Sequence, residues 1–381
     1  MNFENIFWDP VSPEVLRDQR AAYDRMRRRC PVAWSELMGW SLFRHADVMR
    51  ALLDHKTFSN AVSQHLSVPN GMDPPEHTPY RRIIEPYFSA ERMEAFAPVC
   101  RSIATKLVRG LSESGDVECV GELARPFAVR VQCAFLGWPA SLHKMLARWT
   151  LRNHAATLAQ DRKALSEIAR EFEGMVDDLL EARESAAPEA DLTSRLMRER
   201  VWKRVLSNEE VASILRNWTV GEIGTISASV GILAQYLAAH PALQNKLRKH
   251  PEMIPPAIEE ILRLHGPLVA NRRITTRPVE IGGHKIKAGE RVTLMWISAN
   301  RDESVFDAPD SFRLDRDPSK NLLWGAGVHV CPGAPLARLE LRIFLEELLA
   351  RSRSIELPAD PPSTLAVYPA SGFSFLPLRV R

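Results

Sequence analysis

The sequence predicts a mainly α chain with a minor β region, folded as a single large domain over residues 1–381. Three observations carry this reading. The chain has 381 residues, 45% of them hydrophobic, enough to bury one large core. Apolar residues recur at helical spacing through most of its length. Strand signals are few, short and clustered, and no internal repeat or long linker interrupts the pattern.

Taken in order, the helical segments are 13–29, 44–55, 77–88, 90–111, 121–136, 160–184, 209–239, 254–265 and 334–352. Ser207 and Glu210 form a predicted capping box for the long helix at 209–239. Pro255 and Pro256 suit the first turn of the helix at 254–265, where an absent N–H costs nothing. The segment 182–194 is small and polar, and reads as a loop. Strands are expected at 31–43, at 268–294 around Gly282-Gly283 and Ala288-Gly289, and near the C-terminus.

With 50 basic and 47 acidic residues the charge is nearly balanced, which is not the footprint of a nucleic-acid binder. The five cysteines include no CxxC pair, so neither a disulfide framework nor a four-ligand zinc site is suggested. The N-terminus lacks a basic start followed by an apolar run, and no stretch of about 18 apolar residues occurs. A soluble, cytoplasmic protein that binds neither membrane nor nucleic acid is expected, as a monomer.

One cysteine stands apart. Cys331 lies in "WGAGVHVCPGAPLARLE", behind a glycine-rich loop and before a predicted helix. A thiolate is favoured at a helix start, where free N–H groups and the helix dipole stabilise negative charge. Pro332 and Pro335 fit only in such a first turn. Gly325, Gly327 and Gly333 would let backbone approach something flat and large. A buried structural cysteine is the plainer alternative. One cysteine with one nearby histidine is half a zinc site, whereas a single thiolate suits haem iron. Glu260 and Arg263 share a helix face, but Glu14–Arg17, Glu122–Arg125 and Glu167–Arg170 have the same spacing. Their meaning comes from position, some way ahead of Cys331, with "ANRDESVFDAPDSFRLDR" between.

In these residues the chain resembles the soluble bacterial cytochromes P450. The loop matches that family's aromatic-Gly-x-Gly-x-His-x-Cys-x-Gly pattern, with Trp324 where Phe is usual. Glu260 and Arg263 match its Glu-x-x-Arg pair, and "DPPEHTPYRR" matches the start of a haem-contacting helix. The resemblance implies haem b held by Cys331 as the axial iron ligand, with Gly325 and Gly333 in the binding loop. It places His77, Arg81, Arg273 and His329 at the haem propionates, with Arg273 opening a strand. It makes Glu260 and Arg263 structural, with Arg313 as the third member that locks the pair. The stretch at 58–88 looks most like haem domains of self-sufficient bacterial enzymes fused to flavin and iron–sulfur reductases. No reductase follows Arg381 here, so electrons from NAD(P)H are expected through a separate ferredoxin or flavodoxin-type partner. Arg81, Arg82, Arg101, Arg338 and Arg342 are a candidate docking surface for it.

The family's long helix carries an acid before a threonine, and the two help to deliver protons to bound oxygen. Here Thr225 takes the threonine position, Gly221 the small-residue position, and Gly224 stands where the acid is expected. Glu222 is the candidate replacement, being i,i+3 from Thr225. Two other readings stay open: another acid or solvent serves, or ordinary oxygen activation does not occur. The expected activity is O2-dependent monooxygenation, a hydroxylation or oxidative dealkylation of a small, largely apolar or aromatic substrate. Leu66, Val68, Leu268, Val269, Ala270 and Phe373 are the expected pocket wall. The alternatives are a peroxide-using or non-hydroxylating haem–thiolate enzyme, and a haem–thiolate sensor without turnover. Pro332, which has no N–H to offer the sulfur, is expected to make the thiolate more electron-rich.

Overall fold

The computed structural model describes residues 6–63, 65–111, 115–185, 187 and 191–381. Helices dominate. The longest, Asn208–Ala239, is the central helix; the helices Arg125–Leu136, Arg162–Glu181, Ile254–His265 and Ala334–Ala350 all pack on it. Its start is fixed by the expected capping box. The Glu210 N–H donates to Ser207 Oγ at 3.2 Å, and the Ser207 N–H donates to Glu210 Oε2 at 2.8 Å. From Ser229 to Ala238 every residue but Gln235 is buried, as a helix stretch apolar on every side must be.

The predicted helix at 13–29 is two helices, Pro13–Arg17 and Gln19–Arg29, because Asp18 is extended and caps the second through Ala21 N–H. The helix His143–Leu158 was not foreseen. Only Leu146, Trp149, Thr150 and Ala156 of its 16 residues are buried, too sparse for a clear apolar stripe. The predicted loop at 182–194 falls partly outside the described residues.

A five-stranded sheet runs in the order Val32–Ser35, Gly39–Leu42, Arg291–Met295, Ala270–Thr275, Phe58–Ser59. Its one parallel pairing is between the second and third of these. Arg273 lies inside its strand rather than at the start, opposite Val292. The Gly282-Gly283 hairpin joins Val279–Ile281 to His284–Ile286, and both glycines have positive φ. A second hairpin region ends at Phe373–Phe375 and packs back on the central helix, where Gly372 approaches Ala228 and Ile232. Among the described residues no single helix is long and apolar enough to cross a membrane.

Candidate active site

The loop that carries Cys331 is held by its own backbone. The Cys331 N–H donates to Trp324 O at 2.8 Å, and the Val330 N–H donates to Gly327 O at 3.1 Å. Gly325 and Gly327 both have φ of +72°, which only glycine adopts without strain. At Gly327 a Cβ would also sit 2.5 Å from Leu52 O. Gly333 is different: its φ is −81°, and a Cβ would make ordinary contacts with Phe88 and Cys331 Sγ. The N–H groups of Gly333 and Ala334, at the start of the helix Ala334–Ala350, act on the sulfur in favour of its thiolate, and the Ala334 N–H donates to Cys331 O at 3.5 Å. Cys331 is exposed as a residue, but the protein crowding its sulfur pushes the thiol up, while these two N–H groups and Arg81 oppose it.

A line of bonds supports this loop from behind. Glu260 and Arg263 pair at 2.7 and 2.9 Å and are almost fully buried. Arg263 donates to Asn300 O at 2.7 Å and to Pro309 O at 2.9 Å. Asn300 Oδ1 accepts from the Leu322 N–H at 2.7 Å, and Leu322 O accepts from Gly325 N–H at 2.9 Å. The third member of the buried pair is Arg316, not Arg313. Arg316 Nε donates to Glu260 Oε1 at 3.0 Å, and its side chain is 9% exposed. The Arg313 side chain turns outward to Asp307 and Asp315; only its backbone N–H reaches Glu260, at 3.2 Å. Trp324 is explained by the same region. Its Nε1–H donates to Glu259 at 3.0 Å, a bond that phenylalanine cannot make, and Arg338 lies over its ring and donates to the same carboxylate.

His77, Arg81, Arg273 and His329 converge from three elements. The rings of His77 and His329 meet edge to face at 4.5 Å. Arg81 Nη1 donates to Val330 O at 2.7 Å and its Nε to Glu85 at 2.9 Å. Arg273 is 5% exposed, and burial brings its guanidinium down to about 10. Burial, helped by His77 and Arg273, lowers His329 to about 3. Its Nε2 is buried with no hydrogen-bond partner, and the nearest carboxylate, Asp73, is 3.8 Å away. Two arginines and two histidines, one of them His329 with its orphaned nitrogen, fit a ligand with anionic groups. Haem, with two propionates on one edge and an iron to be met by Cys331, matches this set. Cys100, Cys119 and Cys133 have no such setting: all three are buried in the core, and burial raises their thiols.

On the central helix, Thr225 Oγ donates to Gly221 O at 2.5 Å. Glu222 is i,i+3 from Thr225 on the same helix. Its carboxyl is withdrawn from water and meets Glu340 of the helix Ala334–Ala350. The space beside Gly224 is faced by His154, whose Nε2 would lie 3.5 Å from a Cβ there. His154 and Arg125 border a cavity of about 260 Å³ between the central helix and the hairpin at 366–374, with Leu151, Leu158, Ile223 and Phe373 as apolar wall. Of the six wall residues expected from the sequence, only Phe373 lines it. On the other side of the loop, a cleft of about 1200 Å³ opens at Cys331 and is bordered by Arg81, Arg338 and Arg342. Each of these arginines is paired with a glutamate, as is Arg101. Glu340, Arg316 and His154 were missed in the sequence.

Comparison with known proteins agrees with this arrangement. The cytochrome P450 family model matches residues 133–366. A cyclomarin C epoxidase of Salinispora arenicola is 32% identical, covering 84% of this chain and 85% of that protein. An erythromycin C-12 hydroxylase of Saccharopolyspora erythraea is 33% identical, covering 91% of this chain and 90% of that protein. Among solved structures, cytochrome P450 CYP109Q5 from Chondromyces apiculatus superposes with a TM-score of 0.88 at 30% identity, covering 98% of both chains. The chain therefore belongs to the cytochrome P450 family, as an oxidoreductase of the haem–thiolate monooxygenase type.

Proposed function

We propose that this chain is one haem domain, over residues 1–381, that inserts one atom of O2 into a small, largely apolar substrate, by hydroxylation or oxidative dealkylation. The observation that carries the reading is the setting of Cys331. Its sulfur sits at a helix start, where the N–H groups of Gly333 and Ala334 favour a thiolate, within a loop braced by the buried Glu260–Arg263–Arg316 cluster. Cys331 would hold the iron of haem b; His77, Arg81, Arg273 and His329 would hold the propionates. When bound, the haem supplies the oxygen-activating chemistry, aided by electron release from the thiolate. The chain's own tasks are to orient substrate, exclude water and move protons, the last through Thr225 and Glu222.

The 260 Å³ cavity favours a small substrate, since drug-sized sites run to about 300–1,000 Å³. Arg125, His154 and Thr150 in the lining add a polar end to an otherwise apolar space. This supports a substrate with an apolar or aromatic body and one hydrogen-bonding function. Electrons would come from NAD(P)H through a separate ferredoxin or flavodoxin-type partner, in a cytoplasmic setting. The cleft at Cys331 supports a docking face there. Its ion-paired arginines favour a partner that competes for them over one drawn by bare positive charge.

The test is a carbon monoxide difference spectrum for thiolate ligation, followed by a spin-shift screen against small apolar compounds. Loss of the thiolate signature in the wild-type protein overturns the reading. A second reading, peroxide-driven turnover, is favoured by one observation: Gly224 stands where the family carries its acid, and the Glu222 carboxyl is engaged with Glu340. Turnover with peroxide exceeding that with a surrogate ferredoxin system would decide for it.

A further inference from the structure

Glu340 sits on the buried face of the helix Ala334–Ala350 and is 0% exposed. Neither of its carboxyl oxygens has a hydrogen-bond partner as a carboxylate, and neither does Oε1 of Glu222. The two carboxyl groups lie within hydrogen-bonding reach of each other, so a bond forms only if one of them carries a proton. The other groups that face them are the Cys100 thiol, from the helix Ala90–Arg109, and the Cys331 sulfur, which feels Glu222 from the loop. Arg101 and Arg342 act on Cys100 but are bonded to Glu346 and Glu347. Among the described residues no lysine or arginine pairs with Glu222 or Glu340. Two ionised carboxylates in one dry site repel too strongly to persist, so at least one proton stays between them.

We propose that Glu222 and Glu340 share a proton and act as an internal proton store that feeds the groove at Gly221 and Thr225. This deepens the oxygen-activating reading above and rests on it. Glu222 is the only acidic residue of the central helix beyond Glu210, and it is i,i+3 from Thr225. The usual acid position is Gly224, so the helix has no other carboxyl to offer. In one cycle the pair takes a second proton from water, Glu222 yields it towards the Thr225 hydroxyl, and the pair returns to one proton. It never reaches zero, which is the state that burial opposes. Glu340 does not touch the groove; it is a positioning residue that keeps the shared proton available to Glu222.

The experiment is infrared difference spectroscopy of the holoprotein in H2O and D2O, with coupling measured in parallel. The wild-type protein should show a carboxylic C=O band at neutral pH that shifts in D2O. Glu340→Gln and Glu222→Gln should each remove or displace it. Each should also lower product formed per electron by about tenfold or more, with the double variant no worse than either alone. Absence of the band from the wild type, or a band untouched by both variants, overturns the shared proton. A band that responds while coupling is unchanged overturns its delivery, as does an equal loss of coupling in His154→Ala. The carbon monoxide spectrum separates the two levels: a normal thiolate signature with a failed pair leaves the haem–thiolate reading standing. Should Glu340→Gln fold poorly by circular dichroism, Glu222→Gln alone decides.

Discussion

Arg316 Nε lies 3.0 Å from Glu260 Oε1, inside the ion pair that Glu260 makes with Arg263. Two guanidinium groups therefore compensate one buried carboxylate, and both also bind backbone carbonyls of the segment 300–311. The carboxylate is thereby tied to the loop leading to Cys331 on two sides.

Removing Arg316 should expose the cost of that burial. Arg316→Ala leaves Glu260 with one cation and frees the 307–311 carbonyls, so a loss of about 3–5 kcal/mol is expected. Arg313→Ala should change stability far less, because its ion pairs are solvent-exposed. Thermal unfolding of both variants, with the carbon monoxide spectrum as a check on thiolate ligation, makes the comparison. Equal losses would mean that the bonding pattern misidentifies the third member.

These two arginines also show where sequence reading stops. Arg313 and Arg316 lie three apart in an irregular loop, and no periodicity tells which one turns inward. The helices were legible where an apolar stripe was dense, and His143–Leu158 was lost where it was sparse. The cationic cluster was legible because His77 and Arg81 share a helix turn and the motif order supplied Arg273 and His329. Glu340 carried an unread signal. Leu336, Ala337, Leu341, Phe344 and Leu348 form the apolar stripe of its helix, and Glu340 falls on it. A charged residue on such a stripe calls for a partner, and the partner, Glu222, lies over a hundred residues away in sequence.

Trp324→Phe should restore the aromatic that is usual at this position in the family and lose one hydrogen bond. The Trp324 Nε1–H donates to Glu259, which keeps its bond from Arg338 when the indole is gone. A destabilisation of about 1 kcal/mol is expected, with haem content unchanged. Denaturant unfolding and the absorbance ratio of haem to protein check it. A large loss of haem would show that the indole shapes the loop beyond this bond.

His265 gives a pH prediction with a defined sign. It is half-buried beside Arg20 and Arg301, accepts from Arg20 as a neutral ring, and is held down to about 3 by desolvation first and by these cations second. In the unfolded chain it titrates near its ordinary 6.5. Its contribution is intact above about pH 6.5 and is lost progressively as pH falls towards 3, because the unfolded state then binds the proton first. The slope from this residue approaches about 1.4 kcal/mol per pH unit. His265→Gln should be less stable at pH 7 yet flatter between pH 6.5 and 5. Parallel curves for the two proteins over that range would refute the assignment.

Pro332 follows Cys331 directly and has no N–H, so the backbone groups that act on the sulfur are those of Gly333 and Ala334. A hydrogen bond to a thiolate withdraws electron density and favours the reduced, more negative state of the iron it binds. Pro332→Ala adds a potential donor at the one neighbouring position that lacks it. The reduction potential of the haem-loaded protein should therefore rise, and spectroelectrochemical titration measures it. The Cys331 N–H is already committed to Trp324 O, and the glycine conformations upstream stay unchanged, so the loop can keep its shape. If the potential stays the same or falls while the thiolate signature is intact, the missing donor is not what tunes the sulfur.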